Sequence, residues 1–139
     1  MNDKQNIKIA LEILDDEIKG DSKSALKKMH PDYSMTWMYK TSKGALFPRD
    51  YVKNISDLDD VYIIKNRKYD IKSIVANGDI VMIEMIESYP DPNTGKIYKT
   101  PQVIVLEFKD GKILKGRHYC DPQISYLNIE DAEINKAFK

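Results

Sequence analysis

The spacing of apolar positions changes along this chain, from helical in the first third to alternating in the last part. Ile7, Leu11, Leu14 and Ile18 recur at i, i+4, i+7 and i+11, which predicts one face of a helix. Asn2 or Asp3 is placed to cap its start, and Gly20 suits its end. Asp21 is placed to cap a short second helix carrying Ala25, Leu26 and Met29, stopped by Pro31. His30 then falls at the helix end, where a cation favours the macrodipole. Over residues 33–39 the period drops to two, so Tyr33, Met35, Trp37 and Tyr39 share one face of a strand. Pro48 suits the first turn of a third helix, whose apolar face is Tyr51, Val52, Ile55 and Leu58.

From Tyr69 onward the pattern is strand after strand. Residues 69–76 and 80–89 flank Asn77-Gly78, a strong hairpin signal. A longer turn spans Pro90 to Gly95, and residues 97–108 form a long strand. That strand should be interrupted or bulged near Pro101, because proline donates nothing to a ladder. Lys109-Asp110-Gly111 reverses the chain into a last strand that closes at Pro122. A three-residue loop with Gly111 left-handed pairs Phe108 with Lys112, Gly116 with Ile104 and His118 with Gln102. A two-residue loop shifts that register and turns Val103 and Val105 inward; the first register is preferred because it keeps Glu107 outside. Along the last strand Lys115, Arg117 and Tyr119 face water or an interface, while Leu114, Gly116, His118 and Cys120 face in. An imidazole beside the room a glycine leaves is what a small-molecule pocket needs. Residues 128–138 form a short terminal helix or fray.

The 139 residues suffice for one core without metal or disulfide support, so residues 1–139 are read as one domain with 123–139 as a tail or short helix. Lysine plus arginine and aspartate plus glutamate number 22 each, and this balance argues against a nucleic-acid surface, which rests on excess positive charge. Cys120 is the only cysteine, so no internal disulfide forms. The first residues lack a signal peptide's apolar core and no apolar run reaches membrane-span length, so a cytoplasmic location with no membrane partner is expected. No phosphate loop, dinucleotide fingerprint or metal motif is present, and none of these cofactors is expected.

Helices, a strand, a helix and an antiparallel run of strands make an α+β arrangement: N-terminal helices packed in a strongly curved antiparallel sheet, a cone open at one end. Pro101 and Gly116 are its expected bending points. Three pieces, in order, carry a resemblance over about Ile7 to Pro122: His30-Pro31-Asp32-Tyr33, Asp110-Gly111-Lys112-Ile113, and Arg117-His118-Tyr119-Cys120-Asp121-Pro122. The chain resembles the SnoaL-like branch of the nuclear transport factor 2-like superfamily. That superfamily includes polyketide cyclases, ketosteroid isomerases, dehydratases and epoxide hydrolases, beside members that only bind or dimerise. The resemblance implies a cone-shaped α+β barrel around an apolar ligand, often in a homodimer. Departures matter too. The steroid isomerases place a carboxylate base where this chain has Trp37, and the cyclases a histidine or other polar group where it has Met35 and Trp37. The cyclase carboxylate at the end of the last strand corresponds to Asp121, which strand parity turns away from His118 unless Pro122 bends the chain back.

Two residues are therefore candidate catalysts. His118 has an ordinary pKa near neutrality and suits proton transfer, with Asp121 as its helper. The bland alternatives are a wall histidine hydrogen-bonded to Gln102 and a turn-forming aspartate. Tyr33, Met35, Trp37, Tyr51, Glu84 and Gln102 are the candidate ligand contacts. Glu84 interrupts an apolar run and Glu87 follows it; a buried carboxylate there would have a raised pKa. Cys120 is a small core residue rather than a nucleophile, since nothing near it lowers its pKa. The expected function is binding of a small, largely apolar organic molecule, with cofactor-free acid–base chemistry of the cyclase, isomerase or dehydratase type if any reaction occurs. The alternative is a non-catalytic dimeric interaction module with a filled or vestigial pocket.

Overall fold

A computed structural model describes residues 3–127 and 129–139. Helix α1 runs Asp3–Lys19, so the capping considered for Asn2 lies outside the described residues. Its buried face is rotated from the expected one: Ala10, Ile13 and Leu14 are buried, whereas Leu11 and Ile18 are about two-fifths exposed (40% and 41%). Ala10, with no bulk beyond Cβ, fits where α1 lies against the sheet, and the Asn6 amide donates to Gly78 O at 3.4 Å. Packing thus overrides the wider stripe in the sequence. Gly20 ends the helix with φ +71°; its amide donates to Glu17 O and that of Asp21 to Asp16 O, the paired closure a left-handed C-terminal glycine allows.

Helix α2 (Ser22–Lys27) is capped by the Asp21 carboxylate, which accepts from the Ser24 amide at 3.1 Å. Strand β1 (Met29–Trp37) begins two residues later, so Pro31 lies inside a strand and does not stop the helix. The pairing of β1 shifts register between Met29 and Ser34, an irregularity where the proline is tolerated. His30 accordingly is not at a helix end; its Nδ1 accepts from the Asp32 amide at 3.0 Å.

The expected third helix from Pro48 is corrected. Arg49–Tyr51 form β2, antiparallel to β1, and the Trp37 amide donates to Pro48 O at 2.9 Å. Edge pairing to β1 takes the backbone groups that a helix would have used. A 3₁₀ turn (Ile55–Leu58) and one helical turn, α3 (Asp59–Tyr62), follow.

Strands β3 (Lys68–Asn77), β4 (Ile80–Pro90), β5 (Ile97–Lys109) and β6 (Lys112–Cys120) complete a six-stranded sheet of order β2-β1-β6-β5-β4-β3. All neighbours are antiparallel except β1 and β6, which pair in parallel, so the sheet is mixed. The fold class is the expected α+β one. Pro101 does not break β5: it pairs with Ile86 in an unshifted ladder. It lies one residue beyond Gln102, the last position β6 pairs, so its missing N–H loses no bond on that side.

The last hairpin differs in register from the preferred reading. Lys109 pairs with Lys112, leaving the two-residue loop Asp110-Gly111, both with positive φ. Gly116 then faces Leu106 and His118 faces Ile104. A bulge restores parity, because Glu107 pairs with Lys115 but Phe108 with Ile113. Ile113, 1% exposed, therefore takes the core place expected for Leu114, while Ile104, Leu106, Gly116 and His118 still face in. The core joins Ala10, Ile13 and Leu14 to Val81, Ile83 and Met85. Helix α4 (Asp131–Lys136) settles the terminal segment as a helix, burying Ile134 on the face of β4 opposite that core.

Candidate functional site

Strand parity builds the site. Alternate residues of β1 (Tyr33, Met35, Trp37), β6 (His118, Cys120) and β5 (Thr100, Gln102, Ile104) turn toward α1 and line a cavity of about 310 Å³. Glu87 and Tyr89 of β4, Tyr69 of β3, Leu14 and Glu17 of α1 and Tyr62 of α3 complete its walls. Trp37 and His118 are neighbours across the parallel β1–β6 pairing.

His118 and Gln102 meet inside it, with Nε2 and Oε1 2.6 Å apart. With the amide oxygen accepting, the ring carries its proton on Nε2 and leaves Nδ1 as an acceptor. Burial lowers the His118 pKa below its ordinary 6.5, with Arg67 adding to the fall and Glu87 opposing it, so the ring is neutral at pH 7. Tyr39 meets the ring edge-on at 6.3 Å.

Gly116 does not leave room for a ligand. A Cβ there would stand 2.5 Å from Met35 Cε and 2.9 Å from Sδ, so the missing side chain accommodates Met35. Three expected site residues lie outside the cavity. Asp121 is exposed just beyond β6 and its carboxylate accepts from the Gln123 amide at 3.0 Å, the turn arrangement. Glu84 lies on the opposite face of β4 and accepts from Ser73 Oγ at 3.1 Å. Tyr51 is 58% exposed on the short edge strand β2.

The sequence reading considered Glu87 but missed Arg67, Glu17, Tyr62 and Tyr69. Arg67, just before β3, donates through Nη1 to Glu87 Oε2 in a pair whose side chains are 5% and 11% exposed. Its Nη2 donates to Val61 O at 3.2 Å, and its guanidinium stands 4.9 Å above the Tyr89 ring. Tyr69 OH donates to Glu17 Oε2. Burial pushes the Glu17 carboxyl up to about 7, and Glu87 and Asp16 add to the rise while the Tyr69 hydrogen bond and Arg67 resist it. Tyr62 OH and Arg67 Nε are buried with no hydrogen-bond partner among the described residues. Signals existed for some of these: Glu87 continues the inward parity of Ile83 and Met85, and Glu17 lies one helical turn from Ile13 and Leu14. Cys120 is inert as a nucleophile, its thiol pushed up to about 11 by burial.

No family model and no curated protein matches the sequence. Solved structures do. A nuclear transport factor 2-like protein from Burkholderia xenovorans LB400 superposes with a TM-score of 0.70 at 15% identity, over 89% of this chain and 95% of that one. A candidate SnoaL-like polyketide cyclase from Jannaschia sp. CCS1 gives 0.68 at 14% identity, over 90% and 94%. IdmH, a candidate polyketide cyclase from Streptomyces antibioticus, gives 0.68 at 13% identity, over 94% and 99%. At such identities the likeness concerns the fold, and it is the nuclear transport factor 2-like cone anticipated from the three sequence pieces. Among the described residues no helix is long and apolar enough to cross a membrane.

Proposed function

We propose that the chain binds one small, largely apolar organic molecule in this cavity and performs cofactor-free proton transfer on it, of the cyclase, isomerase or dehydratase type. One observation carries the reading: a ring-lined cavity of about 310 Å³ into which His118, held by Gln102, and the half-buried carboxyl of Glu17 both face. Neutral His118 offers Nδ1 as a base, and Gln102 orients it. Glu17, with a pKa of about 7, is poised to donate or accept a proton at neutral pH. Trp37 and Tyr33 flank the apolar part of the ligand. The interaction-module alternative calls for a cone packed shut, and the open cavity favours the pocket.

Native mass spectrometry after gentle purification, with thermal-shift screening of apolar carbonyl compounds, tests the reading. A retained or stabilising small molecule supports it. With neither, the pocket has no ligand function and the module stands. A His118→Ala variant that turns over a bound compound like the parent removes the catalytic assignment while leaving the binding one.

A further inference from the structure

The charges around the cavity do not balance. Among the described residues that line it, Glu17, Asp50, Asp57 and Glu87 are acidic, and Arg67 is the one lysine or arginine. The Arg67 guanidinium is already held, by Glu87 through Nη1 and by Val61 O through Nη2. Asp57 is occupied too, accepting from the Lys53 and Asn54 amides at 2.8 and 3.1 Å. Deep in the site, two carboxylates therefore meet one guanidinium. The surplus group is Glu17, whose carboxyl receives a hydrogen bond from Tyr69 and none from a cation. A buried carboxylate without a counter-ion is costly unless a bound group pairs with it.

The walls point the same way. Trp37 and six tyrosines line the cavity, and Tyr89 already carries a cation over its ring face in Arg67. Ring faces attract cations, most strongly where water is excluded. A carboxylate or phosphate ligand would meet the acidic surplus with the one guanidinium engaged. A neutral ligand would leave the Glu17 carboxyl protonated, with only the Tyr69 hydroxyl against it, and would release no proton.

We propose that the molecule taken into this cavity is a protonated primary amine on an apolar frame, with Glu17 as its counter-ion and the surrounding aromatic rings in cation–π contact. The proposal rests on the pocket reading above and adds the chemical class of its ligand. Pairing with an ammonium converts Glu17 to its ionised form, so binding below pH 7 releases a proton. The groups facing Glu17 are Tyr69 of β3, Glu87 of β4, Tyr33 of β1, Tyr62 of α3, Arg67 and, on its own helix, Asp16. Arg67 and the three tyrosines are shifted to higher pKa, so they do not supply that proton.

Three probes of one shape test this by isothermal calorimetry on the whole chain: 3-phenylpropylamine, 3-phenylpropan-1-ol and 3-phenylpropionate. At about pH 6.5, in two buffers of different ionisation enthalpy, the amine should bind at least about tenfold tighter than the alcohol and release most of one proton. In Glu17→Gln the amine's advantage should fall to within about twofold and proton release should vanish. Proton release by the parent needs no variant, so the test survives a variant that fails to fold. If the alcohol or the carboxylate binds as well as the amine, or the amine binds without releasing a proton, the amine proposal is overturned and the pocket reading stands. If none of the three binds, the amine proposal falls, and the pocket reading falls with it only when no retained or stabilising molecule is found either.

Discussion

Replacing Glu17 by glutamine tests the buried carboxyl through stability alone. The substitution keeps the shape and an oxygen for Tyr69 OH to donate to, and removes the charge. The folded-state pKa is raised from 4.5 to about 7, so between those values the native chain holds a proton that the unfolded chain has lost. Stability from this group is therefore greatest below the unfolded value and falls as pH rises, reaching its full loss above the folded value. The upward shift corresponds to about 3 kcal/mol at ~1.36 kcal/mol per pKa unit. Glu17 borders the cavity, where entering water would screen the charge, so the effect should lie between about 1 and 3 kcal/mol. Urea unfolding of parent and variant from about pH 4 to about pH 8 measures it. The variant's stability relative to the parent should rise across that interval by this amount, most of it between about pH 5 and pH 7. A difference that stays flat would mean that the carboxyl is as well solvated as in the unfolded chain, and both roles given to Glu17 would fail.

Three other outcomes follow from the geometry. Gly116→Ala should destabilise by no more than about 1 kcal/mol, since its Cβ meets the flexible end of Met35, which can swing aside, and in a Met35→Ala background the loss should vanish, as thermal denaturation of the four proteins will show. Arg67→Met leaves Glu87 buried without its cation and should cost about 3–5 kcal/mol, of which Arg67→Met with Glu87→Leu recovers much; equal losses in single and double variants would refute the pairing. The His118 imidazole should titrate below its ordinary 6.5 by nuclear magnetic resonance. Because the folded-state pKa of this base is lowered, its contribution to stability is present above pH 6.5 and is lost as pH falls toward the folded value.

Strand parity made part of the cavity legible in the sequence. Tyr33, Met35 and Trp37 alternate on β1, and His118 lies on the inward face of β6, because a strand commits each side chain to a face independently of what lies opposite. The register of the last hairpin differs from the expected one, yet its inward set from Gly116 onward survives. A three-residue loop without a bulge and a two-residue loop with one give the same parity beyond the bulge. Apolar pattern alone cannot separate them. The segment after Pro48 failed for a different reason. Its helical spacing is real, but the open edge of β1 offered backbone hydrogen bonds that no residue within the segment announces.

Arg67 and Tyr62 reach the cavity wall through the loop and single helical turn between β2 and β3, a route without a period from which to read direction. Glu17 lies on a helix whose buried stripe is set by where Ala10 lets it dock, and the sequence favours a different stripe. Among them, Glu17 has no ion-pair partner and Tyr62 OH has no hydrogen-bond partner among the described residues. A chain selected for stability alone would place apolar side chains there, since a well-packed apolar replacement of a buried ion pair is often neutral or stabilising. Of the ionisable groups between α1, β3 and β4, Arg67 and Glu87 satisfy each other, while Glu17 has only the Tyr69 hydroxyl against it. A ligand that paired with Glu17 would offset the cost of burying its charge, which is what the calorimetric comparison of amine and alcohol measures.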